Sequence, residues 1–282
     1  MERDLWILDS LAAMRFLTTA HIARLFFNAS RSATNKCMRR LFDAGLIRSW
    51  VRDLAKDNVY ALTPAGRDAL EDSAGPVGAA IACPRRLDGQ LDHLLAINAV
   101  RAEFAMGLTD GVIVWWRSDW EMRGVARGEA VPDARFALRW PDSGEHLFAM
   151  EVEYHTRAPR TFLRKMLRYA GARFRALGSP SEETILVVGR HPSWLERYRQ
   201  AVASLSLGQS IWFTTLAELE ERGADGTIWR AATGENCASL RGLTRPPYGK
   251  AGGSAKNDAV ARRHAPSPAH TYPLQAPNNG TL

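Results

Sequence analysis

Three strand-like runs follow one another between residues 111 and 154, and they restrict the fold more than any other feature of the chain. The runs read GVIVWWR, ARFALRW and HLFAMEVEY, and the turn WPDSGEH joins the last two as a hairpin. A helix of about twenty residues precedes them. A long helix, a buried strand TILVVG, another helix and a short strand SIWFTT follow. The predicted order is αβββαβαβ, which is typical of a mixed α/β domain.

The first 72 residues carry a different pattern. Helical periodicity predicts helices in RDLWILDSLAAMRFL, in AHIARLFF and in a third segment that starts near Ser30 or Ser32 and ends at Gly45. The runs LIRSWV and NVYAL then predict a hairpin, and Pro64 begins a further helix. Residues 73–86 are rich in Gly, Ala and Pro, which predicts a linker. We therefore expect two domains, over residues 1–72 and 87–235.

The N-terminal order, together with LFDAGLIRSW and YALTPAGRDAL, resembles the winged helix-turn-helix DNA-binding domain. The resemblance implies that the third helix enters the major groove and that the hairpin meets phosphates. The residues expected to contact DNA are Ser32, Thr34, Asn35, Lys36, Arg39 and Arg40 on the helix, and Arg48, Arg52 and Lys56 on the hairpin. Winged helices also serve as protein-interaction modules, and a solvated basic helix face is the plainer interpretation.

The second region carries acidic residues on neighbouring strands. Asp133 stands at the start of one strand in VPDARF, and Glu151 and Glu153 lie near the end of the next in MEVEYH. With the αβββαβ order, these residues resemble the restriction-endonuclease-like core of the PD-(D/E)xK nuclease superfamily. The resemblance implies a catalytic set of Asp133, Glu151 and a lysine. The motif's lysine position is Glu153 here, so Lys165 on the following helix is the candidate replacement.

Carboxylates in this arrangement favour a divalent metal. Directly paired residues on antiparallel strands have side chains about 5 Å apart. At that distance Asp133 and Glu151 can share one Mg²⁺ or Mn²⁺ ion, with Glu153 as a further ligand. The ion would activate water and stabilise charge on a phosphodiester. Alternatively, AMEVEY is a half-buried strand whose glutamates simply face water.

A helical wheel of the segment 158–177 predicts which side of this helix is buried. It predicts an apolar face of Leu163, Leu167, Ala170 and Phe174. Lys165 falls on another flank beside Phe162 and Tyr169, apart from a stripe of arginines. This position is compatible with a lysine that faces the sheet.

Together these features resemble the replication-relaxation family of plasmid and mobile-element proteins. The resemblance covers roughly residues 4–220 and rests on DAGLI, LTPAGRDAL, HLLAINAVRAEF, VPDARF, EVEYHT and KMLRYA. It implies a role in plasmid replication or in relaxing DNA for transfer. The implied partners are double-stranded DNA and other plasmid mobilisation or replication proteins. The alternatives are a noncatalytic transcription or replication regulator and a scaffold of the relaxation complex.

The charge of the chain is unevenly distributed. The net charge is +7 and the sequence pI about 9.7, which favours a polyanionic partner. Residues 241–282 are rich in Pro, Gly, Ala and Asn and are expected to form a disordered tail. Six basic residues against one aspartate give this tail a net charge of +5 (6 − 1), so the folded part is closer to neutral.

Several function classes find no support in the sequence. The three cysteines form no CxxC pair, and no GxxxxGK[ST] loop is present, so zinc-finger and ATP-driven functions are not indicated. No apolar run of about 18 residues occurs, and the charged start MERDLWILDS lacks a secretory core. A cytoplasmic protein without membrane contact is expected. Trp115, Trp116 and Trp120 are candidates for base stacking, although tryptophans in a strand are more often core.

Overall fold

The computed structural model describes residues 2–53, 56–74, 81–123, 131–155, 158–176, 183–203, 211–234 and 236–243. The described residues form helices and sheets, which confirms the mixed α/β class. They divide into two units, with the division between Ala102 and Glu103. No helix within these ranges is long and apolar enough to cross a bilayer.

The first unit follows the predicted order of helices and hairpin. Its elements are α1 (Glu2–Met14), β1 (Leu17–Thr18), α2 (Thr19–Phe26), α3 (Arg31–Asp43), β2 (Ile47–Trp50), β3 (Val59–Leu62) and α4 (Pro64–Ala74). The three strands form an antiparallel sheet in the order β1-β3-β2, in which β1 is an addition to the predicted hairpin. Gly45 takes the left-handed conformation (φ 71°) that its position after α3 predicts.

The first unit contains an apolar core cluster. Its members include Ile7, Leu8, Leu11, Ile22, Met38, Leu41, Tyr60 and Leu62, all buried. Ser30 begins α3 by accepting a hydrogen bond from the backbone N–H of Ala33. This cap satisfies one of the free amide groups at the start of the helix, so it fixes where α3 begins.

A fifth helix, α5 (Leu91–Gly107), begins in the first unit, and the division between the units lies within this helix rather than in the predicted linker. The Asn98 amide is fully buried and donates hydrogen bonds to the carbonyls of Met14 (2.9 Å) and Phe16 (2.7 Å). Arg101 donates to the carbonyl of Ala13 at 3.1 Å. These side chains satisfy carbonyls at the end of α1 that have no partner inside the helix. Residues 75–80 of the linker lie outside the described ranges.

The second unit is built on a seven-stranded sheet. Its elements are β4 (Val112–Ser118), α6 (Asp119–Met122), β5 (Ala134–Trp140), β6 (Gly144–Glu153), α7 (Pro159–Ala176), β7 (Thr184–Gly189), α8 (Pro192–Ala203), β8 (Ile211–Thr215), α9 (Leu216–Arg222), β9 (Trp229–Ala231), β10 (Cys237–Ala238) and α10 (Leu240–Leu243). The strand order is β10-β9-β8-β7-β6-β5-β4. Strands β6, β7 and β8 pair in parallel, and the other neighbours pair antiparallel.

Each face of this sheet has a packed region. On one face Trp116 and Phe148 stack on opposite sides of Phe136, with ring centroids 4.4 and 5.4 Å away, and Phe104 of α5 meets Phe136 edge-on. On the other face α7 and α8 cover the parallel strands. That layer contains the buried residues Ala149, Ile185, Val187, Phe162, Met166 and Tyr198.

The predicted disordered tail begins too early. Residues 241–243 belong to α10, and Arg241 pairs with Asp142 in the turn between β5 and β6. This ion pair ties the short helix to the sheet, a contact across 99 residues that composition does not reveal. The rest of the predicted tail, residues 244–282, lies outside the described ranges.

The start of α2 contains a histidine in a capping box. His21 closes a capping box: its backbone N–H donates to the Thr18 hydroxyl, and its ring accepts from the backbone N–H of Thr18. Burial lowers the pKa of the His21 imidazole to about 4, while the charge of Asp57 acts in the opposite direction. The unfolded chain has the ordinary value of about 6.5 and so binds more protons between the two values.

We therefore expect the free energy of unfolding to fall as the pH drops from 6.5 to 4, by up to about 1.4 kcal/mol per pH unit from this residue. Urea denaturation across that pH range measures the loss. His21→Gln is the control, because glutamine also completes a capping box but does not titrate. An identical pH profile in His21→Gln would assign the acid sensitivity to other groups.

Candidate active site on the central sheet

Strand pairing brings Asp133 to Glu151. Ala134, the first residue of β5, lies opposite Met150 of β6 in the antiparallel ladder, so the preceding residue Asp133 comes level with Glu151. The Asp133 side chain accepts a hydrogen bond from the backbone N–H of Val152 at 2.8 Å. Asp133 is 7% exposed. A buried carboxylate held by a backbone donor has a fixed position, which is the first requirement of a preorganised site.

Glu151 lies on β6, between an antiparallel and a parallel neighbour. Its side chain has no exposed surface, and Val187 of β7 is its partner in the parallel ladder. Alternation along the strand puts Glu151 and Ala149 on the same face. Because Ala149 packs in the layer formed by α7 and α8, Glu151 also faces that layer.

Lys165 of α7 supplies the counter-charge. Its ammonium donates a hydrogen bond to the Glu151 carboxylate, and its side chain is 24% exposed. Burial on its own would lower the pKa of the lysine, but the charges of Glu151, Asp133 and Glu153 and the hydrogen bond raise it above the usual value. Lys165 is therefore a cation held beside carboxylates that both β5 and β6 supply. The structure brings the predicted set Asp133, Glu151 and Lys165 together.

The helical wheel placed the buried side of α7 incorrectly. Leu167, assigned to the apolar face, is 48% exposed, whereas Phe162 and Met166 are 1% and 0% exposed. The face that meets the sheet is thus rotated toward Lys165. The wheel had already placed Lys165 beside Phe162 on a flank compatible with facing the sheet, and its error was to centre the buried side on Leu163 and Leu167 instead. The side chains of Ala170, Phe174 and Tyr169 lie outside the described set.

Glu153 is buried at the end of β6. It lines a small pocket with His155, Arg190 and His191, where β6 and β7 both end. Its backbone carbonyl accepts a hydrogen bond from the Arg190 N–H at 3.3 Å. The carboxylate is close enough to Lys165 to contribute to the raised pKa of that residue. The sequence interpretation of Glu153 as a glutamate that simply faces water does not hold.

The carboxylates of this cluster are possible ligands for a divalent ion. No group of three or more His, Cys, Asp or Glu side chains within the described ranges is placed to hold a metal. Mg²⁺ is usually bound through one or two carboxylates and completes its octahedral shell with water and substrate phosphates. Asp133 and Glu151 fit that two-carboxylate pattern without a third protein ligand.

A further ion pair beside the cluster was missed at the sequence level. Arg135, two residues after Asp133, makes a bidentate pair with Glu183, with both N–O distances at 2.8 Å. Glu183 is 6% exposed and precedes β7. The alternation of Asp133 and Arg135 in PDARF was the available signal, since it puts both residues on one face.

The residues of α3 predicted to contact DNA are mostly on its surface. Ser32, Asn35, Lys36, Arg39 and Arg40 are exposed. Thr34 is fully buried, and its hydroxyl donates to the Ser30 carbonyl at 2.8 Å, so it cannot reach a base. Helical periodicity explains this exception, because Thr34 lies one turn before the buried Met38.

Acidic partners reduce the basic character of this first unit. Arg39 pairs with Asp43 at 2.9 Å, and Arg40 pairs with Asp4 of α1. On the hairpin segment Arg52 pairs with Asp92 and is largely buried, so it is not available to a phosphate. Arg48 is half-buried and lies 3.5 Å from the Arg85 carbonyl. Lys56 is exposed, and residues 54 and 55 beside it lie outside the described ranges.

We expect Lys165 and Glu151 to be strongly coupled in stability. Lys165→Met leaves the buried Glu151 uncompensated and should lower the free energy of unfolding by about 3 kcal/mol. Combining it with Glu151→Gln should cost less than the sum of the two single changes. The difference, about 0.5–3 kcal/mol, is measured by a double-mutant cycle in urea.

The exposed pair Arg39–Asp43 provides the matched control cycle. Its coupling should be about 0.5 kcal/mol or less, as is usual for solvent-exposed pairs. Strict additivity at Lys165 and Glu151 would show that the two side chains do not form the pair seen in the structure.

The chain is similar to one known protein family. A family model described as replication-relaxation matches residues 8–181, more than half of the chain, and the matched segment includes Asp133, Glu151 and Lys165. It ends before β7, so the elements from Thr184 onward lie outside it. No curated protein and no solved structure matches the chain.

Proposed function

Because the chain belongs to the replication-relaxation family, we propose that it acts in plasmid or mobile-element replication or relaxation by binding duplex DNA and cutting one of its strands. The observation that carries the cleavage proposal is the buried cluster of Asp133, Glu151 and Lys165. Two carboxylates at the sheet can hold a divalent ion and the ammonium from α7 adds positive charge, a combination that suits metal-assisted phosphodiester hydrolysis. DNA binding is assigned to α3 of the first unit.

The surface of α3 supports the DNA-binding proposal. A helix that follows α2 and precedes an antiparallel hairpin is the arrangement in which winged helix-turn-helix domains present their recognition helix. Lys36 and Arg39 are exposed near the middle of α3. The pair between Arg39 and Asp43 lies in solvent, where ion pairs are weak, so a phosphate can replace the aspartate.

Replacing Lys36 and Arg39 by alanine should weaken binding to duplex DNA and reduce its salt dependence. Each lost phosphate contact lowers the slope of log K against log salt by about 0.9, so the double variant should lose about 1.8. Fluorescence anisotropy at several salt concentrations measures the slope. Arg67→Ala is the control, since Arg67 lies on α4, outside both α3 and the hairpin. An unchanged slope in the double variant rules out α3 as the DNA-binding helix.

The chemistry follows from the charges that the cluster holds in place. Asp133 and Glu151 would hold a Mg²⁺ or Mn²⁺ ion, which when bound supplies an activated water and a charge beside the phosphate. Asp133 is oriented by the Val152 N–H, so its carboxylate does not have to be reorganised when substrate binds. The ammonium of Lys165 stays protonated because its pKa is raised. It therefore offers positive charge to the negative phosphodiester in the transition state.

Metal-dependent nicking of a supercoiled plasmid tests this proposal. The wild-type chain should convert supercoiled to open-circular plasmid in Mg²⁺ or Mn²⁺, and Asp133→Asn and Lys165→Ala should abolish the conversion. In parallel, either ion should raise the melting temperature of the wild type by mass action but not that of Asp133→Asn. Glu221→Gln, which removes an exposed acid of α9, should behave like the wild type.

A noncatalytic regulator or scaffold of a replication or relaxation complex is the second candidate. The observation in its favour is that Glu151 is completely buried and already satisfied by Lys165. In such a protein the pair would hold α7 on the sheet and would have no chemical role. Nicking that persists in Asp133→Asn, together with a wild-type melting temperature that ignores both ions, would favour this candidate.

A further inference from the structure

One face of the antiparallel part of the sheet continues from the cluster onto β4 and β5. The ladder sets Arg117 opposite Arg135, Trp115 opposite Ala137, and Val112 opposite Arg139. Ala137 is in turn opposite Leu147 of β6. We call the apolar, aromatic and basic residues that are exposed or half-buried on this face the outer strip: Val112, Trp115, Arg117, Arg135, Arg139 and Leu147, with the exposed Glu145 beside Arg139.

The outer strip lies on the same face as Glu151. Residues Leu147, Ala149 and Glu151 alternate along β6, so their side chains point to one side. Arg135 is opposite Ala149 and two residues from Asp133, a separation of about 6.8 Å along the strand. The strip therefore begins one side chain away from the candidate catalytic cluster.

Two apolar residues of the strip are exposed to solvent. Val112 and Leu147 are 48% and 43% exposed. The opposite face of the same strands carries the buried aromatic stack of Trp116, Phe136 and Phe148. An apolar surface in the open, bordered by arginines, is typical of a binding surface.

The charges of the strip favour an anionic ligand. Arg117 and Arg135 are direct cross-strand neighbours, where like charges destabilise a sheet. Glu183 compensates Arg135, and Glu145 lies 3.3 Å from Arg139. No carboxylate in the described part of the chain pairs with Arg117. A phosphate at this position would relieve the repulsion between the two guanidinium groups.

The aromatic residue of the strip favours unpaired bases. Trp115 is half-buried. It lies on the same face as Arg117 and Arg139, and its position along the strands is between theirs. Surfaces that bind single strands combine cations along the backbone with aromatic rings on which bases stack. A paired duplex hides the faces of its bases and could not use this ring.

We propose that the outer strip binds a single strand of DNA beside the catalytic cluster, with Trp115 stacked on a base and Arg117 on a phosphate. The inference rests on the proposed function, because it names the form of DNA that lies next to Asp133 and Glu151. It also gives the antiparallel half of the sheet a role in holding the strand that is cut.

Binding of a fluorescent oligothymidine of about 12 nucleotides, a length within the usual range of such sites, tests the strip. The full chain is used with Lys36→Ala and Arg39→Ala, so that α3 contributes little. Trp115→Leu should weaken binding about 10-fold with an unchanged salt slope, as expected for a lost stack. Arg117→Ala should lower the slope by about 0.7, the value of one single-strand phosphate contact.

Control variants come from an arginine–tryptophan pair on α8, outside the outer strip. Arg197 of α8 lies over the ring of Trp194, with 4.9 Å from the guanidinium to the ring centroid. Arg197→Ala and Trp194→Leu should leave oligothymidine binding unchanged. Trp115→Phe keeps an aromatic ring and should retain most of the affinity, which separates stacking from a folding defect. Melting curves establish that each variant is folded.

Three outcomes would overturn the proposal. Wild-type oligothymidine affinity in both Trp115→Leu and Arg117→Ala is the first, and an equal loss for duplex and single strand is the second. The third is a change in the oligomeric state of the chain in Trp115→Leu or Arg117→Ala, which would make the strip a contact between copies of the chain.

The variant Asp133→Asn separates this inference from the proposed function. It should bind oligothymidine normally but fail to nick plasmid. Strip binding without any nicking by the wild type would sink the cleavage proposal and leave the strip intact. Nicking by the wild type without binding of oligothymidine to the strip would support the cleavage proposal and contradict the inference about the strip.

Discussion

Lys165 of α7 donates a hydrogen bond to the fully buried carboxylate of Glu151 and places a positive charge beside it. Removing a carboxylate from water costs several kcal/mol, and a partner of opposite charge offsets most of that cost. This requirement fixes α7 on the face of β6, with Lys165 directed toward the sheet. The layer of Phe162 and Met166 then forms on the same side of the helix.

The position of the cluster follows from the topology of the sheet. Strand β6 pairs antiparallel with β5 and parallel with β7. The antiparallel partner brings Asp133 level with Glu151, and the parallel partner ends at the same edge as β6. The cluster therefore lies where the two kinds of pairing meet, and the antiparallel side carries the exposed residues Val112 and Leu147.

The order of elements could be predicted from the sequence, because alternation and helical periodicity are local signals. Asp133, Glu151 and Lys165 could be proposed only through a family resemblance, and the structure brings them together. Contacts between residues far apart in the sequence were missed. The ion pair of Arg52 with Asp92 makes a predicted phosphate ligand unavailable, and Asn98 of α5 donates to the carbonyl of Met14 at the end of α1. No pattern within one helix or strand contains that information. The same limit explains the incorrect buried face of α7.

The central claim is that Asp133 and Glu151 hold one divalent ion. Anomalous diffraction from crystals grown with Mn²⁺ tests it most directly, because the metal position is observed independently of activity. We expect an anomalous peak with oxygen atoms of both carboxylates about 2.1 Å away, the spacing of a small divalent ion. Crystals with Mn²⁺ bound elsewhere, or with no peak near Asp133 and with Lys165 still on Glu151 at saturating metal, would contradict the account.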